Sequence, residues 1–163
     1  MELTKKDSYA KMISIYIKNL QDQQAYDLSK EFIQKFPGEL ISHLLLAESA
    51  FRLARYAEAK LEGRKALRYA NSDYDLLFCS MVFASACFQL KDYIEGYKVL
   101  KEISAKRPVL EVEEALFAFS LAMKNEATAI QHMKNMLQIN RQHALDLMKD
   151  YISNLPGEEP PVA

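Results

Sequence analysis

Two stretches of the chain, 37 residues apart, have nearly the same sequence. Residues 44–59 read LLLAESAFRLARYAEA, and residues 81–96 read MVFASACFQLKDYIEG. Five aligned columns are identical: Ala47/Ala84, Phe51/Phe88, Leu53/Leu90, Tyr56/Tyr93 and Glu58/Glu95. Self-similarity at a period of about 20–50 residues is the signature of a stacked repeat protein, in which each unit buries its apolar face on a neighbour. We therefore expect this chain to fold as a series of repeats.

Apolar residues recur at helical spacing along almost the whole chain, and no segment alternates in the manner of a strand. Short breaks, among them Pro37-Gly38 and Pro108, divide the pattern. Connections this short make consecutive helices antiparallel. The pattern predicts helices over residues 5–19, 22–35, 39–53, 56–70, 73–90, 93–106, 109–123, 126–139 and 141–154.

The two best copies belong to a longer series. Steps of 33 to 37 residues from the aligned copies lead to Ala25, Pro37, Pro108 and Ala129, which are again small or helix-ending residues. The sequence therefore predicts a single repeat domain over residues 1–155. We expect repeats at about 6–38, 39–75, 76–108 and 109–140, a capping helix at 141–155, and a disordered tail at 156–163.

These hairpins resemble the tetratricopeptide repeat (TPR), a helix–turn–helix unit of about 34 residues. The similarity rests on small residues in the first helices, aromatic residues at the turns and closing prolines: Ala47, Ala84, Tyr56, Tyr93, Pro37 and Pro108. Ile13 and Phe117 stand where the family has a small residue, so the outer repeats diverge. The resemblance implies an all-α fold, a right-handed superhelical array of about four such hairpins with a C-terminal capping helix.

Charge and hydropathy exclude two classes of partner. Lys and Arg number 21 against 22 Asp and Glu, for a net charge of −1, and nucleic-acid binders usually carry a basic excess. Membrane insertion is not expected, because no apolar run approaches the roughly 18–20 residues of a membrane-spanning helix. No secretory leader is evident, so we expect a cytoplasmic protein.

Candidate catalytic and metal-binding groups are sparse. His43, His132 and His143 lack the spacing of known metal motifs, and no glycine-rich phosphate loop occurs. Glu111, Glu113 and Glu114 open a predicted helix, where the helix dipole favours negative charge. We therefore expect a protein that is not an enzyme and that needs no metal or cofactor.

Two cysteines fall on one predicted helix. Cys79 and Cys87 are about 12 Å apart at the helical rise of 1.5 Å per residue, which is too far for a disulfide. We expect both to be small, buried packing residues in a reducing compartment.

The TPR resemblance implies that the first helices of the hairpins line a concave surface that binds a partner. Residues projected onto that surface are Ile17, Leu44, Leu45, Glu48, Phe51, Arg52, Phe78, Met81, Val82, Ser85, Phe88 and Leu121. The central positions are apolar and aromatic, which suits capture of an apolar peptide or amphipathic helix of another protein. Either these residues form an open groove, with Phe51 and Phe88 facing the partner, or they are hairpin core.

Three functions fit this sequence. We favour a non-catalytic protein–protein interaction module, a scaffold or adaptor. The first alternative is a secretion-type chaperone that shields an apolar segment of a client protein. The second is a structural subunit of a larger assembly, and self-association remains open.

Overall fold

A computed structural model describes residues 5–154 of the chain. Every regular element in that range is an α-helix. The helices are α1 (Lys6–Lys18), α2 (Asp22–Lys35), α3 (Leu40–Arg52), α4 (Tyr56–Tyr69), α5 (Asp73–Gln89), α6 (Tyr93–Lys106), α7 (Leu110–Ala122), α8 (Glu126–Ile139) and α9 (Arg141–Ser153). The predicted bounds agree with these to within one residue, so the all-α prediction is confirmed. The predicted disordered tail lies outside the described residues.

The four hairpins α1–α2, α3–α4, α5–α6 and α7–α8, here called repeats one to four, turn in the same way. One residue in each turn has a positive φ between 56° and 62°: Leu20, Ala54, Lys91 and Lys124. In repeat two, the Ala54 N–H bonds the Phe51 carbonyl and the Arg55 N–H bonds the Ala50 carbonyl, both at 2.9 Å. This is the Schellman pattern that satisfies the last carbonyls of a helix. Glycine is preferred there, yet all four turns use a residue with a side chain.

The described residues divide into two compact units, one ending at Ile103 and the other beginning at Ser104. The division lies within α6. The first unit contains repeats one and two and most of repeat three, and the second contains the end of α6 with α7, α8 and α9. A single domain over 1–155 stays a prediction.

The core of the first unit is built from helix faces that meet at close range. Tyr9 stacks on Phe32 with ring centroids 5.2 Å apart, and both side chains are fully buried beside Ile13 and Ala25. Gly63 on α4 lies so close to α5 that an added Cβ would stand 3.2 Å from the Phe83 Cα. Small residues at such points let two helices approach closely. The small residues at equivalent positions of the repeats are all buried: Ala47 and Ala84 on first helices, and Ala25, Ala59, Gly96 and Ala129 on second helices.

The identical Glu58/Glu95 column is explained by ion pairs between the second helices of neighbouring repeats. Lys30 of α2 lies 3.2 Å from Glu58 of α4, and Arg64 of α4 pairs with Glu95 of α6. Lys30 and Arg64 are themselves 34 residues apart, one repeat. Lys60 adds a second contact to Glu95 at 2.6 Å. The same cation-to-carboxylate contact therefore recurs at two successive junctions of the first unit.

The second unit has its own core and a final helix. Val112, Leu116 and Phe119 of α7 are buried in this unit, as are Ala129 and Met136 of α8. The helix α9 packs against α8 and is anchored by Ala144, which is fully buried. A packing role for α9 agrees with the predicted capping helix, but its last turn is open, because Tyr151 and Ile152 are 43% and 62% exposed.

Candidate partner-binding groove

The first helices of repeats two and three form a groove in the first unit. The helix α3 lies against α5, and the groove is lined by Glu48 and Phe51 of α3 and by Met81, Val82 and Ser85 of α5. Its volume is about 150 Å³. All five residues are half-buried, and all five belong to the set that the sequence projected onto a concave surface. The structure therefore brings together the central part of that set.

Phe51 and Phe88, the aromatic pair of the duplicated sequence, make the same ring contact in their two repeats, but Phe51 is the one of the two that lines the groove. Phe51 meets Tyr56 at 5.2 Å and 62°, and Phe88 meets Tyr93 at 5.3 Å and 61°. Edge-on contacts of this kind add to the packing of apolar rings. Phe51 also packs against the core cluster that includes Ala50. It therefore has two roles, since one side supports the hairpin turn and the other lines the groove.

Glu48 is the ionisable residue among the five that line the groove. Burial raises the pKa of its carboxyl group, while the positive charge of Arg52 opposes that shift. The Arg52 guanidinium is engaged elsewhere, because its Nε donates to Asp22 Oδ1 at 2.5 Å. Among residues 5–154, no side chain makes a hydrogen bond or an ion pair with the Glu48 carboxylate. The Glu48 carboxylate is therefore half-buried among apolar groove residues.

The other predicted groove residues are divided among several places. Leu45 is only 6% exposed and belongs to the core cluster with Tyr9 and Phe32, so it is hairpin core and not groove wall. Its neighbour Leu44 is half-buried, and Ile17 packs partly against the same cluster. Leu45 lies on the core side because repeat one packs over it, which the spacing within α3 alone does not reveal.

Two further predicted residues are exposed on the first unit. Phe78 is 45% exposed at the start of α5, where its ring meets Tyr74 at 4.6 Å. Arg52 is exposed and held by Asp22. Neither lines the groove of Glu48 and Met81.

Leu121 belongs to a different pocket, in the second unit, with a volume of about 330 Å³. Its lining comes from all three complete helices of that unit: Phe117, Leu121, Glu126, Ala129, Ile130, Met133, Met148, Tyr151 and Ile152. Leu121 is the one lining residue of this pocket that was predicted from the sequence as a partner-binding residue. The available signal was Phe117, a large residue where the repeat pattern has a small one. Its ring lines the pocket and lies edge-on to Tyr151, with the ring centroids 6.1 Å apart.

Two histidines are buried and bonded to glutamates. The His43 Nδ1 lies 2.6 Å from Glu62 Oε2, and the His132 Nδ1 lies 2.7 Å from Glu113 Oε2. Glu113 also accepts bonds from Ser104 and from Asn135, and it is fully buried. Glu113 lies in the first turn of α7, as predicted, and its side chain also turns inward to a histidine, which the sequence did not predict.

Other reactive groups are similarly enclosed. Cys79 and Cys87 are free and buried, as predicted, and burial raises the pKa of each thiol to about 11. Within residues 5–154, no three His, Cys, Asp or Glu side chains are grouped so as to hold a metal ion. In the same range, no helix combines the length and the apolar character needed to cross a bilayer.

Comparison with known proteins reveals similarity in fold. No protein-family model and no curated protein matches the chain. TTC0263, a thermophilic TPR protein of Thermus thermophilus, has a TM-score of 0.73 at 17% identity, over 92% of this chain and 81% of that one. PilF of Pseudomonas aeruginosa has a TM-score of 0.70 at 22% identity, over 94% and 78%.

A third similar structure comes from a protein complex. One chain of the Naa15/Naa10 structure bound to HypK-THB has a TM-score of 0.63 at 16% identity, over 96% of this chain and 26% of that one. From its helices, its turns and these similarities, the chain has the helical-repeat fold of the tetratricopeptide proteins.

Proposed function

We propose that this protein is an adaptor that binds an apolar peptide or amphipathic helix of another protein in the groove between α3 and α5. The observation that carries the proposal is the convergence of Phe51, Met81 and Val82 from two repeats on one groove beside Glu48. Burying one such side chain completely contributes roughly 1.5–3 kcal/mol, so several together supply useful affinity. An amphipathic helix presents apolar residues at the spacing of such a groove.

The test is a selection of displayed 16-residue helical peptides on the immobilised full chain. We expect the selected sequences to share an apolar stripe at i, i+3, i+4 and i+7. Their affinity is then measured by fluorescence anisotropy on the wild type and on the Phe51→Ala, Met81→Ala double variant. Loss of two large contacts is expected to weaken binding at least about tenfold.

Controls separate loss of the groove from loss of the fold. Phe117→Ala removes another half-buried phenylalanine, from the pocket of the second unit, and is expected to leave the affinity unchanged. Ser85→Phe fills the groove without removing core atoms and is expected to block the same peptides. Circular dichroism verifies the helical content of each variant. Selected peptides that bind the double variant and Ser85→Phe as tightly as the wild type would rule out the proposed function.

A further inference from the structure

The groove in the first unit is chemically uneven. The helix α5 has no charged residue from Leu76 to Gln89, so the α5 wall is apolar apart from the Ser85 hydroxyl. That hydroxyl is occupied, because it donates to the Met81 carbonyl of its own helix at 2.8 Å. The α3 wall contributes one carboxylate, Glu48. A partner seated in this groove therefore covers apolar surface and one acidic group together.

Covering the Glu48 carboxylate has a free-energy cost unless it gains a donor. A buried carboxylate without a partner is strongly disfavoured, whereas one that accepts a charge-assisted hydrogen bond is stabilised. Arg52 is held by Asp22 on the neighbouring repeat and does not bond Glu48. A cation on the bound segment would supply this hydrogen bond.

We infer that the partner is an amphipathic helix with one lysine or arginine within its apolar stripe, and that this cation pairs with Glu48. The inference rests on the proposed function, since it names the chemistry of the segment that the groove binds. A long basic side chain suits the site, because its methylene stem packs on apolar surface while its charged end reaches the carboxylate. Purely apolar helices bind less tightly, because they leave Glu48 covered and unpaired.

The peptides selected on the full chain provide the probe. We expect their stripe to contain a basic residue at a fixed position. Replacing that residue with norleucine, which keeps the stem and removes the charge, is expected to raise the Kd for the wild type about tenfold. The same exchange is expected to change the Kd for Glu48→Gln by less than about twofold. Glu102→Gln, which alters an exposed carboxylate on α6, is expected to behave as the wild type.

A second variant tests the same contact from the protein side. Ser85→Lys places an ammonium group in the groove wall opposite Glu48, so the peptide's own cation is expected to lose its advantage. The inference is overturned if the selected stripes lack a basic residue, or if norleucine weakens binding equally on the wild type and Glu48→Gln. In both cases the groove remains a binding site and the proposed function stands. Peptides indifferent to Phe51→Ala, Met81→Ala overturn the proposed function as well.

Discussion

Repeats two and four contain the same buried pair with the acid and the base exchanged. In repeat two the histidine is on the first helix (His43) and the glutamate on the second (Glu62). In repeat four the glutamate is on the first helix (Glu113) and the histidine on the second (His132). Both pairs are 19 residues apart in sequence. The hairpin thus fixes two facing positions, and either orientation of the pair fits them.

Neighbouring groups donate hydrogen bonds to the carboxylate in both orientations of the pair. In repeat four, Ser104 and Asn135 donate hydrogen bonds to Glu113. In repeat two, Lys65 donates to Glu62 at 2.7 Å, and Lys65 occupies the position on α4 that Asn135 occupies on α8. The tenth residue of the second helix therefore donates to the carboxylate, whichever helix holds that carboxylate.

His43 has an additional acceptor in the preceding loop. Its Nε2 lies 2.9 Å from the Pro37 carbonyl, while its Nδ1 faces the Glu62 carboxylate. The ring also stacks on Tyr69 at 5.5 Å. The pair of repeat two thus ties the loop before α3 to its hairpin.

Replacing His132 of repeat four is expected to cause the largest loss in the free energy of unfolding. In His132→Leu the glutamate stays fully buried and loses its histidine, and breaking a buried pair costs about 3–5 kcal/mol. Urea unfolding followed by circular dichroism measures the loss, and hydrogen exchange in α7 and α8 locates it. A loss below about 1 kcal/mol in His132→Leu contradicts a stabilising role for the pair.

The matching change in repeat two is expected to cost less. His43→Leu leaves Glu62 paired with the cation of Lys65, whereas Glu113 in His132→Leu keeps only neutral donors. The side chains of His43 and Glu62 also retain 7% and 8% exposure. We expect a loss of about 1–3 kcal/mol in the free energy of unfolding. The same urea experiment on both variants makes the comparison, and a larger loss in repeat two than in repeat four overturns it.

The stability of the protein is expected to fall in acid through Glu113. Burial acts to raise the pKa of this carboxyl, but hydrogen bonds from Ser104, His132 and Asn135 outweigh it and hold the pKa below 4.5. A group whose pKa is lower in the folded state contributes stability above its ordinary pKa and loses it as the pH falls through the folded value. Glu113→Gln is therefore expected to lose less stability than the wild type as the pH falls below the ordinary pKa of a glutamate. If the free energy of unfolding falls equally with pH in the wild type and in Glu113→Gln, Glu113 is not the source of the acid sensitivity.

Repeat three lacks the histidine–glutamate pair, and a substitution there is expected to change the free energy of unfolding least. One repeat from His43 and Glu62, the corresponding residues are Ser80 and Val99. The Ser80 hydroxyl is buried without a hydrogen-bond partner among the described residues. Ser80→Ala removes that unsatisfied group and is expected to stabilise the protein by about 1 kcal/mol, measured by urea unfolding. A loss of stability on this change shows that the hydroxyl has a partner after all.

The sequence predicted the helices and turns well because these depend on local signals. Apolar periodicity and short breaks determine each helix, and the duplication places equivalent residues in equivalent positions. The burial of Leu45 and of Glu113 could not be predicted from the sequence, for one common reason. Each lies on a helix face that a second element covers, repeat one for Leu45 and α8 for Glu113. Whether a neighbouring element covers a helix face depends on tertiary packing, and the apolar periodicity of a single helix does not predict it.

The groove itself was only partly predictable. Five of the twelve proposed residues line it together, since they stand at helical spacing on α3 and α5. Leu121 lies in the other pocket because Phe117 and α9 create a separate apolar surface in the second unit. Glu48 has no hydrogen-bond partner among the described residues, and its neighbour Arg52 bonds Asp22 of repeat one instead. A contact between residues 30 positions apart cannot be predicted from a local pattern.

Methyl NMR of the full chain with labelled methionines tests directly whether the peptide binds in the groove between α3 and α5. Met81 lines the groove of the first unit, whereas Met133 and Met148 line the pocket of the second. On titration with a selected peptide, we expect the Met81 methyl signal to shift and those of Met133 and Met148 to stay in place. Shifts at Met133 and Met148 with an unchanged Met81 signal would contradict binding in this groove.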